Sequence, residues 1–178
     1  MQLKSMEGCR LVIGGYPSFS YNASGGGGHG HLMPPDPDGN QRLCFEAEQL
    51  SIPSLCGKTT RILGLPLPPG LQIKIVPLSL EGVLNWRTAE VRLNFDAQFR
   101  FSVGQWIQAP DLKVTTLLST GSLQSQRHRV EGVPLSTNGR ACLVGVATVQ
   151  PTGTSWFDKF LGLPDEALAV LECRFTDA

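Results

Sequence analysis

The sequence predicts an all-β domain, mainly antiparallel, curled into a barrel or sandwich of about eight to ten strands with one short helix. Three observations carry that expectation. First, Ala89 to Val103 alternates without a break. Ala89, Val91, Leu93, Phe95, Ala97, Phe99, Phe101 and Val103 are apolar or small, and every residue between them is polar. Successive side chains leave a strand on opposite faces, so period two at this length marks a strand with one buried face. At roughly 3.3 Å per residue it would reach ~50 Å, so it has to bend around a core. Second, the chain holds 20 Gly and 13 Pro but only 17% charged residues, the mix expected of many turns joining strands. Third, one helix start stands out. Ser155 is placed to cap, Asp158 follows three residues on, and Gly162 and Pro164 close the segment. A helix of about two turns cannot stand alone. It should lie on the sheet or plug one end of a barrel.

Cys9 to Ile13 and Pro17 to Tyr21 read as a hairpin around Gly14-Gly15. Residues 25–40, GGGGHGHLMPPDPDGN, have turn composition and are expected to form a flexible Gly/Pro-rich loop within a single domain spanning 1–178. From Arg42 to Ile52, Leu43, Phe45 and Ala47 share a face before the phase slips by one, which suggests a β-bulge. Leu63 to Gly70, LGLPLPPG, must be extended. Leu71 to Leu84 alternates until the phase flips at Val76-Pro77, where a missing amide donor implies an edge or a bulge. A turn at Asn85 to Thr88 joins this segment to the Ala89–Val103 strand as a long hairpin. Leu112 to Thr120 alternates again, with Leu112, Val114, Thr116 and Leu118 on one face. Arg140 to Val149 is apolar on both faces, as in a strand covered on both sides. Ala167 to Phe175 follows an acidic pair that suits a helix start, but it alternates, and a strand is expected.

The 15 basic and 15 acidic residues cancel, and no Lys/Arg run breaks the balance, which argues against a nucleic-acid partner. No apolar run approaches the ~18 residues of a transmembrane helix. The opening MQLKSMEGCRLVIGG has no signal-peptide character, so a cytoplasmic location is expected, or the plastid stroma in a eukaryote. Five cysteines without a C-x-x-C read as small buried thiols in a reducing compartment.

The phrases LGLPLPPGLQIKI, EVRLNFDAQFRFSVG, APDLKVTTLLSTG, RACLVGVATVQPTG and FLGLPDEALAVLECRF, taken together, resemble a family of uncharacterised proteins of cyanobacteria and plastids. The likeness runs from about Cys9 to Phe175. It implies a photosynthetic host and a cytosolic or stromal site, and it carries no catalytic residue to transfer.

Chemical motifs are sparse. Gly57-Lys58-Thr59 is similar to the end of a phosphate loop, but Ile52 stands where that motif needs a glycine. Asn22-Ala23-Ser24 matches the glycosylation tripeptide, without a secretory signal to give it meaning. His29-x-His31 offers two imidazoles, whereas a metal site needs three or four ligands. His128, between Arg127 and Arg129, is the candidate general base, with Glu131 close in sequence but on the opposite strand face. No serine has the G-x-S-x-G context. What remains is apolar surface: Trp86, Trp106 and Trp156 near turns, beside Pro-rich segments that suit a ligand mouth or partner patch.

Three readings follow. The leading one is a non-enzymatic binding or assembly protein that engages an apolar small molecule or a membrane-associated protein partner, with no cofactor. The second is a β-barrel carrier of a lipid or pigment, which requires an interior cavity lined by Phe95, Phe99 and Phe101. The third is an enzyme of unrecognised type with a cleft around His128.

Overall fold

A computed structural model describes residues 1–177. In chain order the strands are β1 (Gln2–Ser5), β2 (Cys9–Ile13), β3 (Phe19–Tyr21), β4 (Gly27–Leu32), β5 (Gln41–Phe45), β6 (Thr60–Ile62), β7 (Leu65–Pro66), β8 (Leu71–Asn85), β9 (Glu90–Val103), β10 (Ile107–Gln108), β11 (Leu112–Ser119), β12 (Ser122–Gln124), β13 (Arg129–Glu131), β14 (Arg140–Val149) and β15 (Asp165–Thr176). One α-helix, α1 (Ser155–Leu161), joins β14 to β15. Strand pairing is antiparallel throughout the main sheet, as its sequence predicted.

The sheet closes on itself. Its order runs β1-β4-β5-β8-β9-β11-β14-β15, and β1 pairs with both β4 and β15. Eight strands therefore form a ring with no free edge at that level. The ring divides along its axis. The last residues of β15 pair with β1, and the first with β2. From β1 the sheet continues through β4 and β5 to the second half of β8. From β2 it continues through β3, β6 and β7. That second branch reaches the first half of β8 only through an isolated bridge between Leu55 and Ile73.

The long hairpin β8–β9 is the backbone of the barrel. Its register slips between Pro77 and Ser79, the bulge expected from the missing donor at Pro77. Val91, Leu93 and Ala97 of β9 are fully buried, while Glu90, Arg92 and Asn94 face out, so the period-two pattern states the true inward phase. Beside β14, Val133, just after the β12–β13 hairpin, bridges Cys142, and Cys142 and Val144 on one face of β14 are buried as are Ala141 and Leu143 on the other.

Three expectations are corrected. Residues 27–32 are not loop but β4, and only the remainder of 25–40 lacks strand structure. The glycine run makes this strand possible. A side chain at Gly27 would collide with the Leu3 carbonyl, one at Gly28 with the Gln49 carbonyl, and one at Gly30 would stand 2.7 Å from the Phe45 ring. At these three positions only glycine passes between its neighbours. The phase slip after Phe45 is not a bulge but a turn of 3₁₀-helix, Ala47–Gln49. The capping of α1 also differs. Thr154 is the N-cap and makes no side-chain cap bond. Asp158 instead reaches back, accepting from the Thr152 amide and hydroxyl at 2.7 Å each and from the Gly153 amide at 3.1 Å.

Candidate functional site

The two halves of the barrel are filled differently. Between β1, β4, β5 and the facing halves of β9, β11 and β14, the interior is solid. Leu3, Leu43, Phe45, Leu84, Val91, Leu93, Leu118, Leu143 and Phe175 pack against one another there. On β11 and β14 the packing stops two residues further along the inward face, and on β9 it stops beyond Ala97. A cavity of about 300 Å³ opens, lined by Phe99, Phe101, Leu112, Val114, Ala147 and Ala169 among others. Tyr16, Pro68, Leu71 and Phe160 border it where the second sheet branch fails to close on β8. Helix α1 covers part of the end, with Phe157 and Leu161 buried against Leu112 and Val149. The Phe157 ring meets Phe101 edge-on, with centroids 5.1 Å apart.

The lining carries no Asp, Glu, His, Lys or Arg. Its side-chain polar atoms belong to Tyr16, whose hydroxyl donates to the Phe160 carbonyl, and to Thr116. Phe95, expected to line such a cavity, does not; it packs between the solid half and the neighbouring apolar cluster. Phe99 and Phe101 do line it and are only half-buried, although they continue the inward phase of β9.

The chain matches no family model, no curated protein and no solved structure. Function is therefore read from geometry.

The tryptophans separate. Trp106 sits in the β9–β10 turn, is 92% exposed, and belongs with Trp156 of α1 to the hollow end of the barrel. Ile107 and Phe160 add exposed apolar area at that end. Trp86 lies in the β8–β9 turn, at the opposite, solid end. The three do not form one surface.

His128 lies in the tight turn of the β12–β13 hairpin, and Glu131 is not its partner. The turn is held instead by β15. Glu166 accepts a hydrogen bond from the Ser125 hydroxyl at 2.7 Å and from the amides of Gln126 and Arg127 at 3.2 Å each. The Arg127 guanidinium pairs with Asp165 at 3.0 Å. The His128 amide donates to Ser125 Oγ at 3.0 Å. His128 does not line the cavity, and Arg129 projects outward from β13. No nucleophile is aimed at the imidazole here. The Ser125 hydroxyl is committed to a carboxylate, so the cluster reads as the anchor of a turn.

That anchor has a measurable signature. The Ser125 hydroxyl first, and then the backbone amides, hold the Glu166 carboxyl below its usual range. A depressed carboxyl contributes stability that is complete above its unfolded value and is lost as pH falls through the folded one. Glu166→Gln at pH 7 should therefore speed amide exchange at Gln126 and Arg127 about tenfold, a typical local opening effect. The difference from wild type should shrink below about pH 4, where the wild-type carboxyl also protonates. Equal exchange at pH 7 would show that the turn is held by something else.

His29 and His31 sit on the exposed face of β4, two residues apart. His31 Nε2 approaches Glu46 at 3.9 Å. Among the described residues no group of three or more metal-capable side chains converges. The cysteines are all free thiols. Cys9, Cys142 and Cys173 are buried as expected, and burial pushes the Cys142 thiol up to about 12. Cys44 corrects that expectation, being exposed on β5. Among the described residues no helix is long and apolar enough to cross a membrane.

Proposed function

We propose that this chain binds an apolar small molecule in the hollow half of its barrel. One observation carries the reading: half of the barrel is solid and half is an apolar chamber, built from the same strands in the same phase. Its volume of about 300 Å³ stands at the lower end of the range typical of small-molecule sites, about 300–1,000 Å³. Eight strands suit either a packed interior or a single small ligand. A sealed void of 300 Å³ would forgo about 7 kcal/mol of packing at ~24 cal/mol per Å³. The open mouth reduces that cost, but larger side chains at Ala147, Ala167 or Ala169 would remove it. The small residues paired side by side on β14 and β15 support selection for space.

Phe160, exposed on α1, borders the opening of the chamber together with Tyr16, Pro68 and Leu71. This favours the carrier among the readings that the sequence supports. The enzyme reading has less support, since His128 lies in a turn held by Glu166 and Asp165 and does not line the chamber.

The test is titration with N-phenyl-1-naphthylamine, whose fluorescence rises in apolar surroundings. Wild type should bind it saturably, one molecule per chain. Ala147 lies on the inner wall of β14, and Ala147→Phe should fill the chamber. Probe affinity should fall at least tenfold while the melting temperature holds or rises, as cavity filling commonly stabilises. Unchanged affinity in a folded Ala147→Phe protein would place the probe elsewhere and remove the proposal.

A further inference from the structure

We infer that the chamber takes a single unbranched hydrocarbon chain of about ten carbons, methyl end first, with its polar head left in water at the mouth. This rests on the cavity reading above and specifies the ligand class.

The chamber is long, narrow and blind. On β11 its lining runs from Leu112 to Thr116, and on β14 from Val149 to Gly145. The next inward residues, Leu118 and Leu143, belong to the solid half. Gly145 pairs with Ala169 of β15, so Thr116, Gly145 and Ala169 mark the floor. The mouth lies at the other end. Leu112 and Val149 pack there against α1, and the Tyr16 ring meets Phe160 of α1 with centroids 5.9 Å apart. At ~3.3 Å per residue, floor and mouth are about 13 Å apart. Spread over that length, about 300 Å³ leaves a cross-section of roughly 23 Å², about 5 Å across. Carbon atoms approach no closer than about 3.5–4.0 Å, so two chains cannot lie abreast. At about 30 Å³ per group, the share one water takes in the liquid, the chamber holds roughly ten methylenes.

The walls decide which end enters. No charged side chain lines the chamber. In a sheet the backbone amides and carbonyls point along the hydrogen-bonding direction, between strands, and not toward a face. The Tyr16 hydroxyl is at the mouth and already donates to the Phe160 carbonyl. Thr116 Oγ1 is buried in the wall. A polar atom drawn inside would lose its water without gaining a partner, a loss that a methyl end does not incur.

The experiment measures sodium hexanoate, octanoate, decanoate, dodecanoate and tetradecanoate in alkaline buffer by displacement of N-phenyl-1-naphthylamine. Affinity should rise about fourfold per added methylene and stop rising near decanoate, where further carbons emerge at the mouth. Calorimetry should count one decanoate per protein chain. Decyltrimethylammonium should bind within about fivefold of decanoate, since an exposed head gains or loses no more than a surface charge pair. Ala169→Leu raises the floor by about three carbons, so its break should move to octanoate or below while hexanoate affinity holds. Its melting temperature shows whether it is folded, and the wild-type series decides the matter without it. Affinity independent of length, or rising at the same slope through tetradecanoate, would overturn the blind chain site. Two decanoates per protein chain would overturn the single chain. A hundredfold preference between the two heads would place the head inside and overturn the orientation. An unmoved break in folded Ala169→Leu would overturn the floor. A bound probe that no carboxylate displaces would remove this inference and leave the cavity reading intact. Failure of the probe to bind wild type would remove both.

Discussion

Leu93→Ala lowers the unfolding free energy by about 3–4 kcal/mol, while Val114→Ala lowers it by about 1. Both residues are aliphatic and both face inward, on neighbouring strands. Leu93 is 0% exposed in the solid half, surrounded by Leu43, Leu84, Leu118 and Leu143. Truncating it leaves a cavity that the closed ring cannot collapse around, so lost transfer and lost packing add. Val114 already borders open space, and truncation only enlarges it. For a domain of this size the Leu93 change should lower the melting temperature by about 10 °C. Urea titration of both variants decides the matter. Equal costs would mean that the two halves are equally packed, and the reading of the chamber would fall.

Gly27→Ala destabilises by about 3 kcal/mol or more, while His31→Ala on the same strand stays within about 0.5 kcal/mol. Gly27 has φ of +121°, where a side chain is strained, and its Cβ would run into the Leu3 carbonyl. It also stands opposite Lys4 of β1 in the ladder and exchanges backbone bonds of 2.8 Å with Ser51. Losing that position separates β1 from β4, the joint through which the solid half of the ring closes. The His31 side chain points into solvent and makes only the distant approach to Glu46. Hydrogen exchange should show β1, β4 and β5 opening together in Gly27→Ala. Protection unchanged from wild type would show that the ring does not depend on this joint.

Much of the fold is a local property of the chain, and the sequence by itself determines it. Period two in β9 and β11 states which side chains face inward, because alternation is set by the geometry of a single strand. Pro77 announces its bulge because a missing donor is a property of one residue. The alternation of Ala167 to Phe175 outweighs its acidic start for the same reason. The tertiary structure alone decides the rest. Val91 and Phe101 obey the same inward pattern, yet one is packed and the other borders a chamber. Alternation gives the face and not the distance to the opposite wall, which small residues on β14 and β15 set. Gly27 to Leu32 reads as loop because glycine signals freedom locally, and it becomes strand because Leu3, Gln49 and Phe45 leave no room for side chains. Glu166 anchors a turn 40 residues away in the chain from Gln126, and no local pattern connects them. Thr116 reads as one hydroxyl on an otherwise aliphatic face of β11, but only the assembled barrel buries that hydroxyl without a hydrogen-bond partner.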